Sequence, residues 1–411
     1  MRILLAGYIS IPNIGVGGIS TYVFTLQREL QRLGHEVDIL FQNPPRKQYY
    51  MLNNGRYVSK ETIRKLIRAK LRAMYTKRRW KIPPAIRFWE VERYSYEMAA
   101  AYFGLDKYDL IHAQDVISAQ AIWRVKPKHI PLVLTVHGDF LPVKGKYFSM
   151  LESRGAVSSN LTIAPSQWMK NRLVNMYHVP ANHITVIPYG LDITNFLART
   201  GKPVTKSAGD KKIILCVARL APVKGHRYLL DALAKLKRVR RDWECWMAGD
   251  GTLRRTLVRK SKRLHLQHHV RFLGKRRDVP QLLNRADIFA FSSVQECRPF
   301  AIIEAQIAGK PIVSTNAGGI PEIVQHGASG LLSPIRNSEA MYRNLKRALE
   351  DEALRASMAE NGQKRALENW SVENMLNQTL AVYERVMKRR IINLPVYTET
   401  CENQLIWTRP T

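Results

Sequence analysis

Residues 2–41, RILLAGYISIPNIGVGGISTYVFTLQRELQRLGHEVDILF, determine the fold class. Two short apolar runs, Arg2–Ala6 and Val37–Phe41, are typical of strands that are covered on both faces. Between them, Ile19–Leu33 has apolar residues at helical spacing and is followed by Gly34, a common helix stop. Strand, helix and strand in this order form a βαβ unit, which predicts a parallel sheet.

The same alternation continues along the chain. Because 411 residues are too many for one ordinary core, it predicts two doubly wound α/β domains. We expect an N-terminal domain at 1–197, a linker at 198–212, a second domain at 213–370, a terminal helix at 371–390 and a tail at 391–411. The further predicted strands are Leu110–Ala113, Leu132–Val136, Leu161–Ala164, Ile184–Ile187, Ile213–Ala218, Cys245–Ala248, Val270–Leu273, Ile288–Phe291 and Ile312–Ser314.

The charge is strongly positive and unevenly distributed. The formal net charge is +32, and twelve Lys or Arg residues but one acid lie between Arg56 and Arg87, within an expected insertion at about 43–93. This balance predicts an anionic partner. Apolar residues in the basic stretch fall at helical spacing and leave two interpretations open, a helix that lies on an anionic membrane or a surface helix that packs on its domain. These residues are Ile63, Leu66, Ile67, Leu71 and Met74. Nucleic-acid binding is not expected, since no recognised module with stacking aromatics accompanies the charge.

The sequence predicts a cytoplasmic protein, with a peripheral position on the inner membrane surface left open. No run of eighteen apolar residues indicates a transmembrane helix, and the short apolar N-terminus is better explained as a first strand than as a signal peptide. The cysteines form no C-x-x-C pair, which favours free thiols over a zinc site or disulfides: Cys216, Cys245, Cys297 and Cys401.

Three residue clusters fall at strand-to-helix junctions, where doubly wound sheets bind ligands. The first is Gly15-Val16-Gly17-Gly18, whose glycines permit close approach to an anion at a helix start, although a simple tight turn explains them equally well. The second is Arg219 with Lys224, two cations suited to a diphosphate, with an ordinary solvated loop as the alternative.

The third cluster is the most specific. In residues 291–324, FSSVQECRPFAIIEAQIAGKPIVSTNAGGIPEIV, Glu296 and Glu304 lie eight positions apart around a predicted helix start. The first amides of that helix would present its positive end to a ligand: Phe300, Ala301 and Ile302. Glu304 suits a ribose diol and Glu296 a sugar hydroxyl. The alternative is that both are solvated surface carboxylates. That alternative is less attractive because two further pairs follow the next strand, Gly318-Gly319 and Pro321-Glu322.

The chain resembles the retaining glycosyltransferases of family 4, which have the GT-B fold, two Rossmann-like domains facing each other across a cleft. The resemblance extends from Gly17 to the helix that ends near Arg390. Eight segments carry it in order: Gly17-Gly18-Ile19, Thr135-Val136-His137-Gly138, Ala164-Pro165-Ser166, Pro188-Tyr189-Gly190-Leu191-Asp192, Arg219 with Lys224-Gly225, Gly249-Asp250-Gly251, Phe272-Leu273-Gly274, and Glu296-x7-Glu304 with its trailing glycines.

The resemblance implies a role for each matching residue. The implied catalytic residues are Arg219, Lys224, Glu296 and His137. The implied donor-binding residues are Gly17, Gly18, Arg219, Lys224, Gly249, Lys275, Arg276, Phe300, Ala301, Ile302 and Glu304. Among them, Glu304 would hold the ribose, Arg219 and Lys224 the diphosphate, and the backbone near Lys275 and Arg276 the nucleobase. The terminal helix would cross back to the first domain.

The implied reaction is transfer of a hexosyl unit, with retention, from a nucleotide-diphosphate sugar to a glycan, lipid-linked or wall or surface-polymer acceptor. UDP is the family's commonest carrier, and the basic insertion favours an anionic acceptor and a role in cell-envelope polysaccharide synthesis. No cofactor and no metal are expected, because the sequence has no Asp-x-Asp motif. The loop formed by Cys297, Arg298 and Pro299 departs from the family pattern. Two alternatives stay open, a non-catalytic basic surface protein that retains the fold and a sugar-nucleotide epimerase.

Overall fold

The computed structural model describes residues 1–7, 17–43, 48–52, 56–65, 84–138, 153–201 and 211–391. These residues form two separate sheets, one in each half of the chain, with helices between the strands. The predicted fold class, two doubly wound α/β domains, is confirmed.

The first sheet has eight strands in the order β4-β3-β2-β1-β5-β6-β7-β8. Its core is parallel, with Ile3 of β1 opposite Val37 of β2 on one side and Leu110 of β5 on the other. The sequence did not predict β3 and β4, which extend the sheet antiparallel at its edge and lie inside the expected basic insertion. The strands are β1 Arg2–Gly7, β2 Glu36–Asn43, β3 Gln48–Leu52, β4 Tyr57–Ser59, β5 Leu110–Ala113, β6 Leu132–Thr135, β7 Leu161–Ala164 and β8 Ile184–Val186.

The second sheet has six parallel strands in the order β11-β10-β9-β12-β13-β14. The sequence predicted all of them except β14, a four-residue strand in which Gly330 and Ser333 dilute the apolar signal. The strands are β9 Lys212–Val217, β10 Trp243–Ala248, β11 Val270–Gly274, β12 Ile288–Phe291, β13 Ile312–Thr315 and β14 Gly330–Ser333. Since β10 and β12 lie on opposite sides of β9, the strand order reverses there.

The helices cover the two sheets with amphipathic faces. In the helix His226–Val239, for example, Leu229, Leu233 and Leu236 are fully buried on one side. The helices are Gly18–Arg32, Pro84–Phe103, Val116–Val125, Gln167–Tyr177, Ile193–Ala198, His226–Val239, Arg254–Arg263, Val279–Arg285, Phe300–Ile307, Ile320–Ile323, Ser338–Glu350, Glu352–Asn369 and Val372–Ile391, with further helical residues at 60–65 and 153–157. None of the described helices is long and apolar enough to cross a bilayer.

The basic stretch is only partly described. Ile63 is completely buried, so the first turn of the predicted amphipathic helix packs into its domain. The other apolar positions of that prediction, Leu66, Ile67, Leu71 and Met74, lie outside the described residues, as do Gly15, Val16, Cys401, the predicted tail beyond residue 391 and most of the predicted linker. Cys216, Cys245 and Cys297 are free and buried.

The two halves are joined by more than the linker. Trp370 accepts a hydrogen bond from the Leu191 amide (2.9 Å), and Val372 donates to Leu191 (3.0 Å). From there the helix Val372–Ile391 packs against the first domain, where the Tyr383 hydroxyl lies 2.7 Å from Nδ1 of buried His112. The segment around residues 370–372 therefore acts as the second crossing between the domains.

Candidate active site

The predicted cations and the first glutamate all follow strands at the point where the strand order of the second sheet reverses. Arg219 and Lys224 follow β9, and Glu296 follows its neighbour β12. Carboxyl ends of parallel strands share one edge, and the crevice at such a reversal is the usual ligand site of doubly wound sheets.

Contacts between the two loops bring Lys224 to Glu296. Ser292 and Ser293 donate their hydroxyls to the carbonyls of Lys224 (3.1 Å) and Val223 (2.9 Å). Gly225, at φ 62°, allows this approach, since a Cβ there would lie 2.0 Å from the Ser292 carbonyl oxygen. The Lys224 ammonium forms an ion pair with the Glu296 carboxylate, whose side chain is 9% exposed. Without a ligand, these two predicted catalytic groups therefore neutralise each other.

The paired glycines after β13 fix the backbone of Glu296. Gly319 donates its amide to the Glu296 carbonyl (3.0 Å). A Cβ on Gly318 would lie 1.8 Å from that same oxygen, and a Cβ on Gly319 would lie 2.0 Å from the carbonyl oxygen of Cys297. Only glycine permits this packing, so the trailing glycines of the motif hold the loop that carries Glu296.

The helix Phe300–Ile307 begins beside this loop, as predicted, with Pro299 as its N-cap residue. The Ile302 amide donates to the Pro299 carbonyl (3.2 Å), so of the three predicted amides Phe300 and Ala301 stand at the helix start. Glu304 lies one turn further along, and burial raises the pKa of its carboxyl to about 7, an effect that nearby Arg199 partly offsets. With a pKa of about 7, this carboxyl can donate a hydrogen bond as well as accept one.

The first domain forms the opposite wall of the cleft. Gly18 faces the Phe300 ring so closely that a Cβ there would lie 3.2 Å from Cδ2. Tyr189 stacks on the same ring, with centroids 4.7 Å apart and an interplanar angle of 4°. Gly17, with φ 119°, is the N-cap residue of the first helix. Of the two glycines predicted to lie beside the donor, Gly18 thus meets the helix Phe300–Ile307 across the cleft, whereas nothing lies within 4 Å of an ideal Cβ on Gly17.

His137 also faces this wall but is fully engaged within its own domain. Its Nδ1 lies 2.7 Å from the Tyr189 hydroxyl, and its Nε2 lies 3.1 Å from the Gln114 side-chain oxygen. Burial lowers the pKa of His137 to about 3, so the ring is neutral at physiological pH. In this arrangement His137 orients Tyr189. A contact with the sugar would require the bond to Gln114 to open.

A contact that the sequence did not assign holds the cleft together. Glu322 accepts hydrogen bonds from the Gln167 amide (2.8 Å) and the Trp168 amide (2.7 Å) of the first domain. These amides are the exposed start of the helix Gln167–Tyr177, which the nearby Ser166 also caps through Met169 (3.2 Å). The Pro-Glu pair was visible in the sequence, but nothing local indicates that its partner is a distant helix.

The remaining predicted donor residues lie at the carboxyl ends of β10 and β11. The Gly249 amide donates to the Gly274 carbonyl (2.7 Å), which closes the ends of β10 and β11 against each other. Lys275 and Arg276 follow β11 and are exposed, with Arg276 bound to Asp278 (2.8 Å). Among the described residues, no group of three His, Cys, Asp or Glu side chains is placed to hold a metal ion.

Comparisons with known proteins show the family of the chain. Residues 199–365 match the family described as Glycosyl transferases group 1, and residues 16–195 match Glycosyltransferase Family 4. The chain belongs to the GT-B glycosyltransferases of group 1 and family 4. It is therefore a transferase enzyme, and the two matches divide it where the two sheets divide it.

Relatives of this glycosyltransferase match between about two thirds and nearly all of its length. An uncharacterised glycosyltransferase of Methanocaldococcus jannaschii is 27% identical over 410 residues, covering 94% of this chain and 99% of the relative. The N-acetyl-alpha-D-glucosaminyl L-malate synthase of Bacillus anthracis is 27% identical over 266 residues, or 64% of this chain and 69% of its own.

Solved structures share the fold. Sucrose-phosphate synthase of Thermosynechococcus elongatus has a TM-score of 0.74 at 18% identity, covering 94% of this chain and 99% of that one. HepE of Anabaena, in complex with UDP and glucose, has a TM-score of 0.67 at 22% identity, covering 93% and 99%.

Proposed function

We propose that this glycosyltransferase moves a hexosyl unit from a UDP-sugar to a glycan, lipid-linked or wall or surface-polymer acceptor, with retention of anomeric configuration. The observation that carries the proposal is the Lys224–Glu296 pair beside the start of the helix Phe300–Ile307, at the reversal point of the second sheet. Structures of Anabaena HepE with UDP, and with UDP-glucose, support a uridine nucleotide as the carrier.

The residues of this site suit cleavage of the bond between the anomeric carbon and the diphosphate. Negative charge grows on the leaving oxygen as the sugar becomes oxocarbenium-like, and fixed cations and helix amides stabilise that state more than the ground state. Lys224 and the exposed Arg219 supply the cations, and Phe300 and Ala301 the amides. The acceptor would attack from the face that the phosphate leaves, with the departing phosphate as base.

The Lys224 variant tests this assignment. In Lys224→Ala, kcat should fall by about 10²-fold or more, by analogy with the loss of an oxyanion donor. Lys260→Ala is the matched control. Lys260 is also a partly buried lysine in an ion pair, with Asp231 (2.7 Å), but it lies on the helix Arg254–Arg263 and has no predicted role in catalysis. Near-normal turnover of purified, folded Lys224→Ala would refute the proposed role.

We further propose that the acceptor is anionic and that no divalent metal is required. The acceptor proposal rests on the basic stretch within the first domain, where GT-B enzymes bind their acceptors. Rates measured at low salt with neutral and anionic acceptors test it, and equal rates would count against it. Full activity after EDTA treatment is the expected result for the metal, and restoration of lost activity by Mg²⁺ would contradict it.

We place the enzyme in the cytoplasm, in contact with an anionic membrane surface, in the synthesis of cell-envelope polysaccharide. The positive charge of the chain supports this proposal, since basic residues are attracted to anionic lipids. Sedimentation with vesicles that contain anionic lipid, compared with neutral vesicles, tests it. Equal amounts of protein sedimenting with the anionic and the neutral vesicles would argue for a wholly soluble enzyme.

A further inference from the structure

A cluster of buried hydrogen-bond donors lies at the second crossing between the domains, outside the roles described above. Arg298 Nε and Nη2, Arg365 Nε and Trp370 Nε1 are all buried and have no hydrogen-bond partner in the described part of the chain. Unpartnered buried polar groups are rare in folded proteins and each is costly. Here the unpartnered atoms are all donors, and two of the three side chains are cations.

The three side chains belong to one assembly. The Arg298 guanidinium lies over the Trp370 ring, 4.0 Å from its centroid, and the Arg365 guanidinium lies 5.9 Å from the centroid of the same ring. Arg365 also donates from Nη2 to the Glu322 backbone carbonyl (3.1 Å). The assembly therefore joins the loop of Glu296 to the helix Glu352–Asn369 and to the interdomain crossing.

The vacant edge of Arg298 has a definite shape. Nε–H and Nη2–H point in the same direction within the guanidinium plane, and together they form the fork that binds a carboxylate or a phosphate through two parallel hydrogen bonds. Arg298 is only 4% exposed, so this edge does not face bulk solvent.

Among the residues that the structure describes, no carboxylate fills the fork. The nearby Glu322 raises the pKa of Arg298, against the larger effect of burial, which lowers it to about 10. The Glu322 oxygens, however, accept the amides of Gln167 and Trp168. Within the described residues no carboxylate forms an ion pair with Arg298. A buried guanidinium without a counter-charge is strongly unfavourable.

A second buried arginine shows the usual solution. Arg355 is 9% exposed, and its Nη1 donates to the carbonyls of Ala348 and Leu349, both at 2.9 Å. Its neighbour Glu352 lies 3.8 Å from Nη2. Within the described ranges, the protein thus supplies acceptors for Nη1 of Arg355 but none for Nε and Nη2 of Arg298.

We propose that Arg298, Arg365 and Trp370 form a binding site for a small oxyanion, a phosphate or carboxylate group, at the interdomain crossing. Such an anion accepts the fork of Arg298 and a donor from each of the other two side chains. Arg365 is partly exposed although its Nε is buried, so the site lies close to the protein surface. The bound anion ties the loop of Glu296 to the crossing and so stabilises the arrangement of the catalytic loop.

Thermal unfolding with inorganic phosphate tests the proposal, with chloride at matched ionic strength as the reference. The background is the Arg219→Ala, Lys224→Ala double variant, so that the expected diphosphate site does not report the phosphate. Phosphate at about a hundredfold above its Kd should raise Tm by roughly 3–6 °C. In Arg298→Met on this background the rise should vanish, whereas Arg355→Met should retain it.

The behaviour without phosphate gives an independent readout. Arg298→Met removes an unpartnered buried charge, so its Tm in phosphate-free buffer should equal or exceed that of the background. Arg355→Met breaks satisfied bonds and should lower Tm. If Arg298→Met proves insoluble, Arg298→Lys keeps the charge but not the fork, and should weaken phosphate binding by about tenfold or more.

A further arm identifies the source of the anion. Stabilisation by inorganic phosphate alone would indicate a free ion, and equal stabilisation by glycerol 3-phosphate would indicate a group carried on a larger molecule. Either result supports the site. A phosphate response that is absent from the background, or that persists unchanged in Arg298→Met, would overturn it.

Discussion

A single methyl group at Gly318 should displace the loop that carries Glu296. Gly318 has φ 56°, and a Cβ there would lie 1.8 Å from the carbonyl oxygen of Glu296. Since Cβ atoms essentially never approach other atoms closer than 3.0 Å, the Gly318→Ala variant must displace the Glu296 backbone by about 1 Å.

Two effects add in this variant. An L-residue in the left-handed region costs about 1–2 kcal/mol, and forcing an atom into a packed site costs about 1–3 kcal/mol more. We therefore expect Gly318→Ala to lower the free energy of unfolding by about 2–5 kcal/mol. Because a displacement of about 1 Å at a catalytic group can reduce the rate 10²-fold, kcat/KM should fall by about that factor in the protein that stays folded.

Gly327→Ala is a matched control for the strain. Gly327 has φ 82°, but nothing lies within 4 Å of its ideal Cβ position. In Gly327→Ala the free energy of unfolding should fall only by the cost of the left-handed backbone, about 1–2 kcal/mol, and kcat should not change.

The assay combines urea unfolding with initial rates of nucleotide release, using the nucleotide sugar that stabilises the parent most in a thermal screen. Equal losses of activity in Gly318→Ala and Gly327→Ala would refute the argument that Gly318 acts by positioning Glu296.

Two further predictions concern carboxylates. Burial raises the pKa of Glu304 to about 7, so between pH 4.5 and 7 the folded protein retains a proton that the unfolded chain has lost, and its free energy of unfolding should fall by about 2–3 kcal/mol over that range. Glu304→Gln should remove this slope in pH-dependent urea unfolding, and an unchanged slope would exclude Glu304 as its source. In Glu322→Ala, the amides of Gln167 and Trp168 lose their acceptor across the cleft, so hydrogen exchange there and the radius of gyration should both increase. Asp351→Ala is the control, because it removes a helix cap within one domain: it should lower the free energy of unfolding by about 1–2 kcal/mol without a change in that hydrogen exchange or in the radius of gyration. Identical scattering from Glu322→Ala and Asp351→Ala would contradict an interdomain role for Glu322.

Most of the fold could be predicted because its signals are local. Runs such as Leu161–Ala164 and Ile288–Phe291 are apolar throughout, since helices cover both faces of a parallel sheet, and the structure has strands at those residues. Strands at the sheet edges were harder. Gly330–Ser333 is short and half polar, and Gln48–Leu52 lies in a segment whose charge suggested an insertion.

The candidate site could be predicted only as far as the chain order shows it. The residues after β9 and β12 were found because both loops follow buried strands, but the ion pair between Lys224 and Glu296 depends on the strand order of the folded sheet. Contacts across the cleft, such as Glu322 with the helix Gln167–Tyr177, join residues about 155 positions apart, and no spacing rule reveals them. The unpartnered Nε and Nη2 of Arg298 were likewise not predictable, because Glu322 binds the amides of Gln167 and Trp168 instead of pairing with Arg298.

The ion pair of Lys224 with Glu296 has a consequence for how the donor binds. A diphosphate carries more negative charge than one carboxylate, so on donor binding it should take over the Lys224 ammonium. That exchange would leave the Glu296 carboxylate, whose side chain is 9% exposed, without its cation. A nucleotide alone offers no compensation for this loss, whereas the hydroxyls of a transferred sugar can donate to the released carboxylate. If the proposed function is right, we therefore expect the site to discriminate less against the intact nucleotide sugar than the lost ion pair alone would imply, because the sugar hydroxyls can satisfy the carboxylate that the phosphates displace.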